Sequence, residues 1–247
     1  MRVFMSNILL YSIGTYAKNI KLILLFSLAF VLAFLIPIFA AFPTYNDLGA
    51  ILLRTSSVFL NLNLLNTAVI VIAVFFSLLF LSFAIVAINV ICKHSRTHTR
   101  IRREVIEGLE AYTSKVFVVL LLETLMLLLV STLLYGTGYS AIAAAVVGLV
   151  VAPVFFYAPS SIVIDDNRVV HAMRSSARFF FGKFGYFVLW VAVAAVLLTG
   201  FDFLFISAGG TLISRYAMLV FSSIFILPFL VVLQSESYIN RFKMLKR

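Results

Sequence analysis

Residues 159–190 read PSSIVIDDNRVVHAMRSSARFFFGKFGYFVLW, leaving one apolar run and entering the next across a charged interval. Written on a helix, Val169, Met173, Ala177 and Phe180 fall on one face. His171, Arg174 and Arg178 gather on the neighbouring one, by the three-and-four spacing of helical neighbours. The pattern predicts a basic amphipathic helix. Asp165, Asp166 and Asn167 stand just before it, where side-chain oxygens cap free amides and negative charge suits the positive helix end. Gly182, Lys183 and Gly185 mark where the chain turns from the membrane surface into the bilayer. A helix lying in the interface and feeding a spanning helix is the expected unit.

Composition puts that unit in a membrane. Of 247 residues, 64% are hydrophobic and 11% charged, against roughly 25% charged in a soluble domain. Several runs exceed the roughly 18 apolar residues that a bilayer crossing requires. The expected class is all-α: a polytopic membrane helical bundle of six transmembrane helices with cytoplasmic amphipathic interfacial helices. The formal charge of +10 does not point to nucleic acid, because the cations cluster beside apolar runs, where anionic headgroups account for them. Cys92 is the only cysteine, so no intrachain disulfide forms, and it reads as a small apolar residue at a helix end. The first apolar run is longer than the roughly 7–15 residues of a signal-peptide core. An uncleaved first span is expected even though Ala40 and Ala41 faintly resemble a cleavage site.

Along the chain, residues 1–20 read as a surface helix, followed by a first span over about 21–41 with Pro37 in its outer third. Pro43 and Asn46 open a turn, and residues 48–60 are amphipathic enough to rest on the outer surface. Span two covers about 67–92. The charged piece after it ends in a second amphipathic helix over 101–115, with Ile101, Val105, Leu109 and Tyr112 at helical spacing. Span three covers about 116–135, and Gly136, Thr137 and Gly138 make a tight outer turn. Span four covers about 140–158 and carries Ala144, Gly148 and Ala152 four apart, a small-residue stripe that lets another helix approach closely. Spans five and six cover about 184–205 and 215–233, and residues 235–247 read as a basic tail.

Lysine and arginine set the orientation, since positive residues in short loops stay on the cytoplasmic side. Seventeen lie at the N-terminus, after spans two and four, and in the tail; the opposite segments hold only Arg54 and Arg215. Both termini are therefore expected in the cytoplasm of a multi-pass cell-membrane protein. A weak repeat follows the same layout. Residues 104–109 line up with 168–173, each ahead of a lysine at a membrane entry, Lys115 or Lys183, with Lys18 and Lys21 in that position before span one. One membrane domain with three units, 1–92, 100–158 and 167–233, is the resulting expectation.

The piece Pro159-Ser160-Ser161-Ile162-Val163-Ile164-Asp165, with Val170, Ala172, Ser175-Ser176 and Phe180 to Phe184, resembles the signature of a diffuse group of prokaryotic six-span membrane proteins. That group includes the membrane domain fused to some glycerophosphodiester phosphodiesterases. The resemblance implies an architecture and no activity. In fused members the phosphodiesterase is a separate soluble domain, for which this chain has no room.

Few residues suggest chemistry. Glu123 is read as the only acid well inside a span, where an unpaired carboxylate is expensive, which makes it either a protonatable functional site or a structural hydrogen bond to another helix. Asp202, near the outer end of span five, would meet Arg215 or water, and Asn89 would pack or cap. His94 and His98 are four apart near Cys92, yet no further ligand is spaced to complete a metal set, so neither a metal nor a cofactor is expected. Gly-rich phosphate loops, serine nucleophile elbows and paired-His zinc motifs are all missing. Pro37, Pro153 and Pro228 interrupt spans, as kinks for packing or for gating.

The expected function is accordingly that of a non-enzymatic integral membrane protein, structural or accessory. It would hold anionic lipid or a protein partner, cytoplasmic or another membrane-protein subunit, through Arg168, Arg174, Arg178, Lys183, Arg102 and Arg103. The alternative is a small transporter or transporter subunit using Glu123.

Overall fold

A segment flanked by hydrocarbon must satisfy its own backbone amides, and helix is the structure that does so within a single run. The computed structural model describes residues 2–39, 44–47, 50–53, 64–95, 101–133, 140–209 and 212–242. The chain opens with α1 (Arg2–Lys18) and α2 (Ile20–Phe39), followed by a hairpin of β1 (Thr44–Asp47) and β2 (Ala50–Leu53). It continues through α3 (Leu64–Ser95), α4 (Ile101–Leu133), α5 (Ser140–Phe155), α6 (Ala158–Asp165) and α7 (Val169–Gly182). Last come α8 (Phe184–Gly209), α9 (Leu212–Phe221), a π-helical turn (Ser222–Ile226), α10 (Leu227–Ile239) and a 3-10 turn (Asn240–Phe242). Among the described residues six stretches are long and apolar enough to cross a bilayer: Ile20–Pro37, Thr67–Ser95, Arg103–Val130, Val146–Asp165, Phe184–Phe205 and Tyr216–Ile239. The protein is an all-α bundle and a multi-pass membrane protein.

The hairpin is a local exception. Its antiparallel strands pair Thr44 with Leu53 and Asp47 with Ala50, so residues 50–53 of the stretch expected to rest on the outer surface are extended. The remainder of 48–60, Pro43, the turn at 136–138, His98 and residues 243–247 lie outside the described residues.

Helix α3 is the central rod, packed against α2, α4, α6 and α10. Its inner half is closed off, with Ala84, Val86, Ile88, Ile91 and Cys92 buried, so the Cys92 thiol is packed inside the bundle. At the other extreme, only 6% of the Phe184–Phe205 window in α8 is buried, against 56% of Val146–Asp165. Helix α8 therefore sits at the bundle's edge, touching α7, α9, α10 and the π-turn.

The breaks between surface helix and span differ from the sequence expectation in one place. The chain leaves helix at Asn19, whose side-chain amide donates to Thr15 O (3.0 Å), and again at Lys183, whose amide donates to Phe179 O (2.8 Å). At Lys115 there is no break. Residues 101–133 form one helix, and the expected separate surface helix over 101–115 is instead the inner part of α4, docked on α3. Gly108 explains the docking. A Cβ there would lie 2.7 Å from Val90 Cγ2, so glycine leaves the room that the Val90 side chain occupies between the two helices. The small-residue stripe of α5 does not serve that purpose: a Cβ on Gly148 would meet nothing nearer than Leu127 Cδ2 at 4.0 Å.

Span ends also shift. Span four does not stop at Ala158 but continues through α6 to Asp165, and span six continues to Ile239. Residues 235–238, expected at the start of a basic tail, are buried helix.

Candidate functional site

Two prolines, Pro153 and Pro159, weaken the helix between α5 and α6, since each lacks an amide hydrogen for the ladder. The chain turns at Phe156 and Tyr157. In an unbroken helix the Tyr157 amide would donate to Pro153 O. Here Ser176 of α7 inserts between them: the Tyr157 amide donates to Ser176 Oγ (3.0 Å), and that hydroxyl donates to Pro153 O (2.9 Å). From the opposite side the Gln234 amide of α10 donates to Phe156 O. Two side chains thus satisfy the opened backbone, as a break at membrane depth demands. Rings close around the break, with Phe156 edge-on to Phe187 (5.1 Å) and Trp190 (4.8 Å), and Tyr157 edge-on to Phe179 (4.7 Å).

Below the break lies a polar seam. The Asp165 carboxylate accepts from the Tyr238 hydroxyl (2.7 Å) and from the Arg241 guanidinium, which also donates to the Tyr238 oxygen (2.7 Å) and stacks 4.1 Å over the Tyr238 ring. Asn167 donates to Ser161 Oγ (3.0 Å) and Asp165 Oδ2 (3.4 Å). Further into the bundle the Ser235 hydroxyl donates to Asn89 Oδ1, and Thr15 donates to Glu236 Oε1 (2.9 Å). Asn89, Ser235 and Glu236 are all but fully buried. Lys93 donates to Val163 O (2.7 Å), and Lys115 pairs with Asp166 (3.4 Å). These contacts tie together the ends of α1, α3, α6 and α10 with the middle of α4, so the cation-bearing ends of the spans sit at one end of the bundle.

The acids before α7 therefore do something other than cap it. Arg168 occupies the N-cap position without a side-chain capping bond, Asp165 closes on Arg241 and Tyr238, and Asp166 reaches Lys115 with φ 53°. Local sequence favours capping, but burial favours the ion pair.

Helix α7 itself turns Ala172, Ser176, Phe179 and Phe180 inward. Its outward face shows His171, Arg174 and Arg178 beside Val170 (74% exposed) and Phe181 (73% exposed), with Arg168 at its start and Lys183 at its exit also exposed. Among the described residues no acid pairs with Arg168, Arg174, Arg178 or Lys183. Arg103, by contrast, is held by Glu107 (2.8 Å), and the Arg102 side chain lies outside the described residues.

Glu123 is half-buried on α4 and makes no hydrogen bond or ion pair among the described residues. Asp202 is half-buried near the outer end of α8, and the Arg215 side chain lies outside the described residues. His94 approaches Glu104 at 3.8 Å, and among the described residues no three His, Cys, Asp or Glu side chains gather as metal ligands.

Ser176, Gln234, Glu236, Tyr238 and Arg241 escaped sequence reasoning because each meets a partner far away in the chain. Glu236 had one usable signal: it follows span six with no turn residue between. Searches of protein-family models, curated proteins and solved structures find no match to this chain.

Proposed function

We propose that this is a non-enzymatic membrane protein that gathers anionic lipid headgroups along α7, with its basic end and both termini in the cytoplasm. One observation supports this above the others. Arg168, Arg174, Arg178 and Lys183 are exposed and unclaimed by acids among the described residues, and exposed Val170 and Phe181 interleave them. Apolar side chains that enter the acyl boundary while cations stay at headgroup level suit a helix lying in the interface. Each such cation is worth about 1 kcal/mol on an anionic leaflet.

Trp190, the only tryptophan, lies two turns into α8 from Lys183 and reports on this neighbourhood. In vesicles mixing zwitterionic lipid with brominated phosphatidylglycerol, quenching of Trp190 measures local enrichment of the anionic lipid. Replacing Arg168, Arg174 and Arg178 by Gln is expected to lower that enrichment at least threefold and to remove its salt dependence. Unchanged enrichment overturns the lipid reading, and loss of a co-purifying subunit with enrichment intact would transfer α7 to a protein partner.

A second reading, a small transporter, gains support from a different acid than the one singled out by sequence. Glu236 is 1% exposed inside the bundle, next to a broken span four and a π-turn in span six. If it is right, reconstituted vesicles show a proton flux that Glu236→Gln abolishes and Glu123→Gln leaves; no flux above protein-free vesicles opposes it.

A further inference from the structure

A groove of about 390 Å³ runs between α2 and α3, floored on one side by α4. Its walls are Leu25, Leu28 and Leu32 of α2 and Leu79, Phe80 and Phe83 of α3, and its polar lining residue is Thr113 of α4. Leu25, Leu28 and Leu32 are 57%, 52% and 46% exposed, so the groove opens sideways from the bundle, where a bilayer's chains lie. Its contents must be apolar along most of its length.

Two polar features mark one end. Thr113 Oγ1 is buried and makes no hydrogen bond, although a threonine in a helix commonly donates to the carbonyl a turn earlier. An orphan hydroxyl beside hydrocarbon is costly unless something accepts from it. Thr113 sits two residues before Lys115, whose ammonium meets Asp166 at the inner end of the bundle, so the hydroxyl lies at the inner mouth. Lys21 precedes Leu25 by one turn on the same exposed stripe of α2 and has no acid partner among the described residues. A cation, then a hydroxyl donor, then an apolar channel is the order of phosphate, ester and acyl chain in a phospholipid.

We propose that the groove holds one anionic phospholipid of the inner leaflet: phosphate at Lys21, an ester carbonyl accepting from Thr113 Oγ1, and one acyl chain along Leu25, Leu28 and Leu32. The site deepens the lipid-binding reading and rests on it only in placing the basic end at an anionic leaflet. It shares no residue with α7.

Native mass spectrometry of the detergent-released full chain, titrated with phosphatidylglycerol or phosphatidylcholine, counts retained lipids. The wild type is expected to keep one phosphatidylglycerol in preference to phosphatidylcholine. Leu28→Trp, which fills the groove, and Lys21→Gln, which cannot disturb folding by packing, should each cut that occupancy at least threefold, and Thr113→Val should lower it. The α7 variant with Arg168, Arg174 and Arg178 changed to Gln should retain it. Undiminished occupancy in Lys21→Gln and Leu28→Trp, equal retention of both lipids, or loss in the α7 variant overturns the groove site. Failure of the Trp190 quenching experiment alone would remove the α7 reading and leave this one standing.

Discussion

Two cationic neighbourhoods share the inner end of the bundle. In one, Lys93, Lys115, Arg103 and Arg241 all have partners within the protein: a carbonyl, Asp166, Glu107 and Asp165. In the other, Arg168, Arg174, Arg178 and Lys183 of α7 and its exit face outward. Lys115 and Lys183 share one sequence context, a basic residue just ahead of an apolar run. What separates the two neighbourhoods is whether a partner lies within reach of the cations: α7 is docked too, through Ala172, Ser176, Phe179 and Phe180, but its cations lie on its exposed side. Gly108 brings α4 onto α3, which places Lys115 within reach of Asp166, whereas α7 leaves helix at Lys183 and keeps its charged face away from the core. Charge of one sign thus has two uses here, one that closes the fold and one that is free to meet something else.

The comparison makes opposite demands on the two sets, and the largest effect belongs to the internal one. Asp165→Asn leaves Arg241 without its counter-charge. Removing one partner of a buried pair costs about 3–5 kcal/mol, and with side-chain exposures of 13% and 26% for Asp165 and Arg241 the lower end applies. Thermal unfolding in detergent should show the loss while Trp190 still reports the same anionic enrichment. Next in size is Gly108→Ala, which drives a methyl group into Val90 and should cost about 2 kcal/mol by overpacking; Gly148→Ala, the same addition on the open stripe, should not lower the melting temperature. Lys115→Gln breaks a half-exposed pair and should cost at most about 1 kcal/mol. Smallest on stability is the pair Arg174→Gln with Arg178→Gln, expected to melt with the wild type yet lose anionic lipid. A destabilised α7 variant, or an Asp165→Asn protein that loses lipid preference without losing stability, would erase the distinction.

The spans were legible because bilayer thickness imposes a length and hydrocarbon a composition, and both can be read locally. Starts at residues 20, 67 and 184 lie within a residue or so of the expected ones. The inward face of α7 was legible only in part: of the expected Val169, Met173, Ala177 and Phe180 only Phe180 is buried, and Ala172, Ser176 and Phe179, each one position away from the expected face, take the other inward places because the break in span four draws Ser176 to it. What stayed hidden depends on distant partners. Ser235, Glu236 and Tyr238 look like the beginning of a tail until Asn89, Thr15 and Asp165 are placed beside them. Nothing near Lys115 in sequence distinguishes it from Lys183; the difference lies in Val90 meeting Gly108, 18 residues away. Glu123 attracted attention because it stands alone among apolar residues, and among the described residues the acid buried most deeply is Glu236 instead.

All of this requires the basic end of the bundle to face the cytoplasm with six crossings between the termini. Cysteine accessibility measures that directly, once the single native thiol, the buried Cys92, is changed by Cys92→Ala. In that background Arg178→Cys and Ser207→Cys place thiols at exposed positions at opposite ends of the bundle. A membrane-impermeant maleimide added to intact cells is predicted to label the position 207 thiol and to reach position 178 only after the cells are opened. Labelling of position 178 from outside, or of both positions from one side, would contradict the account.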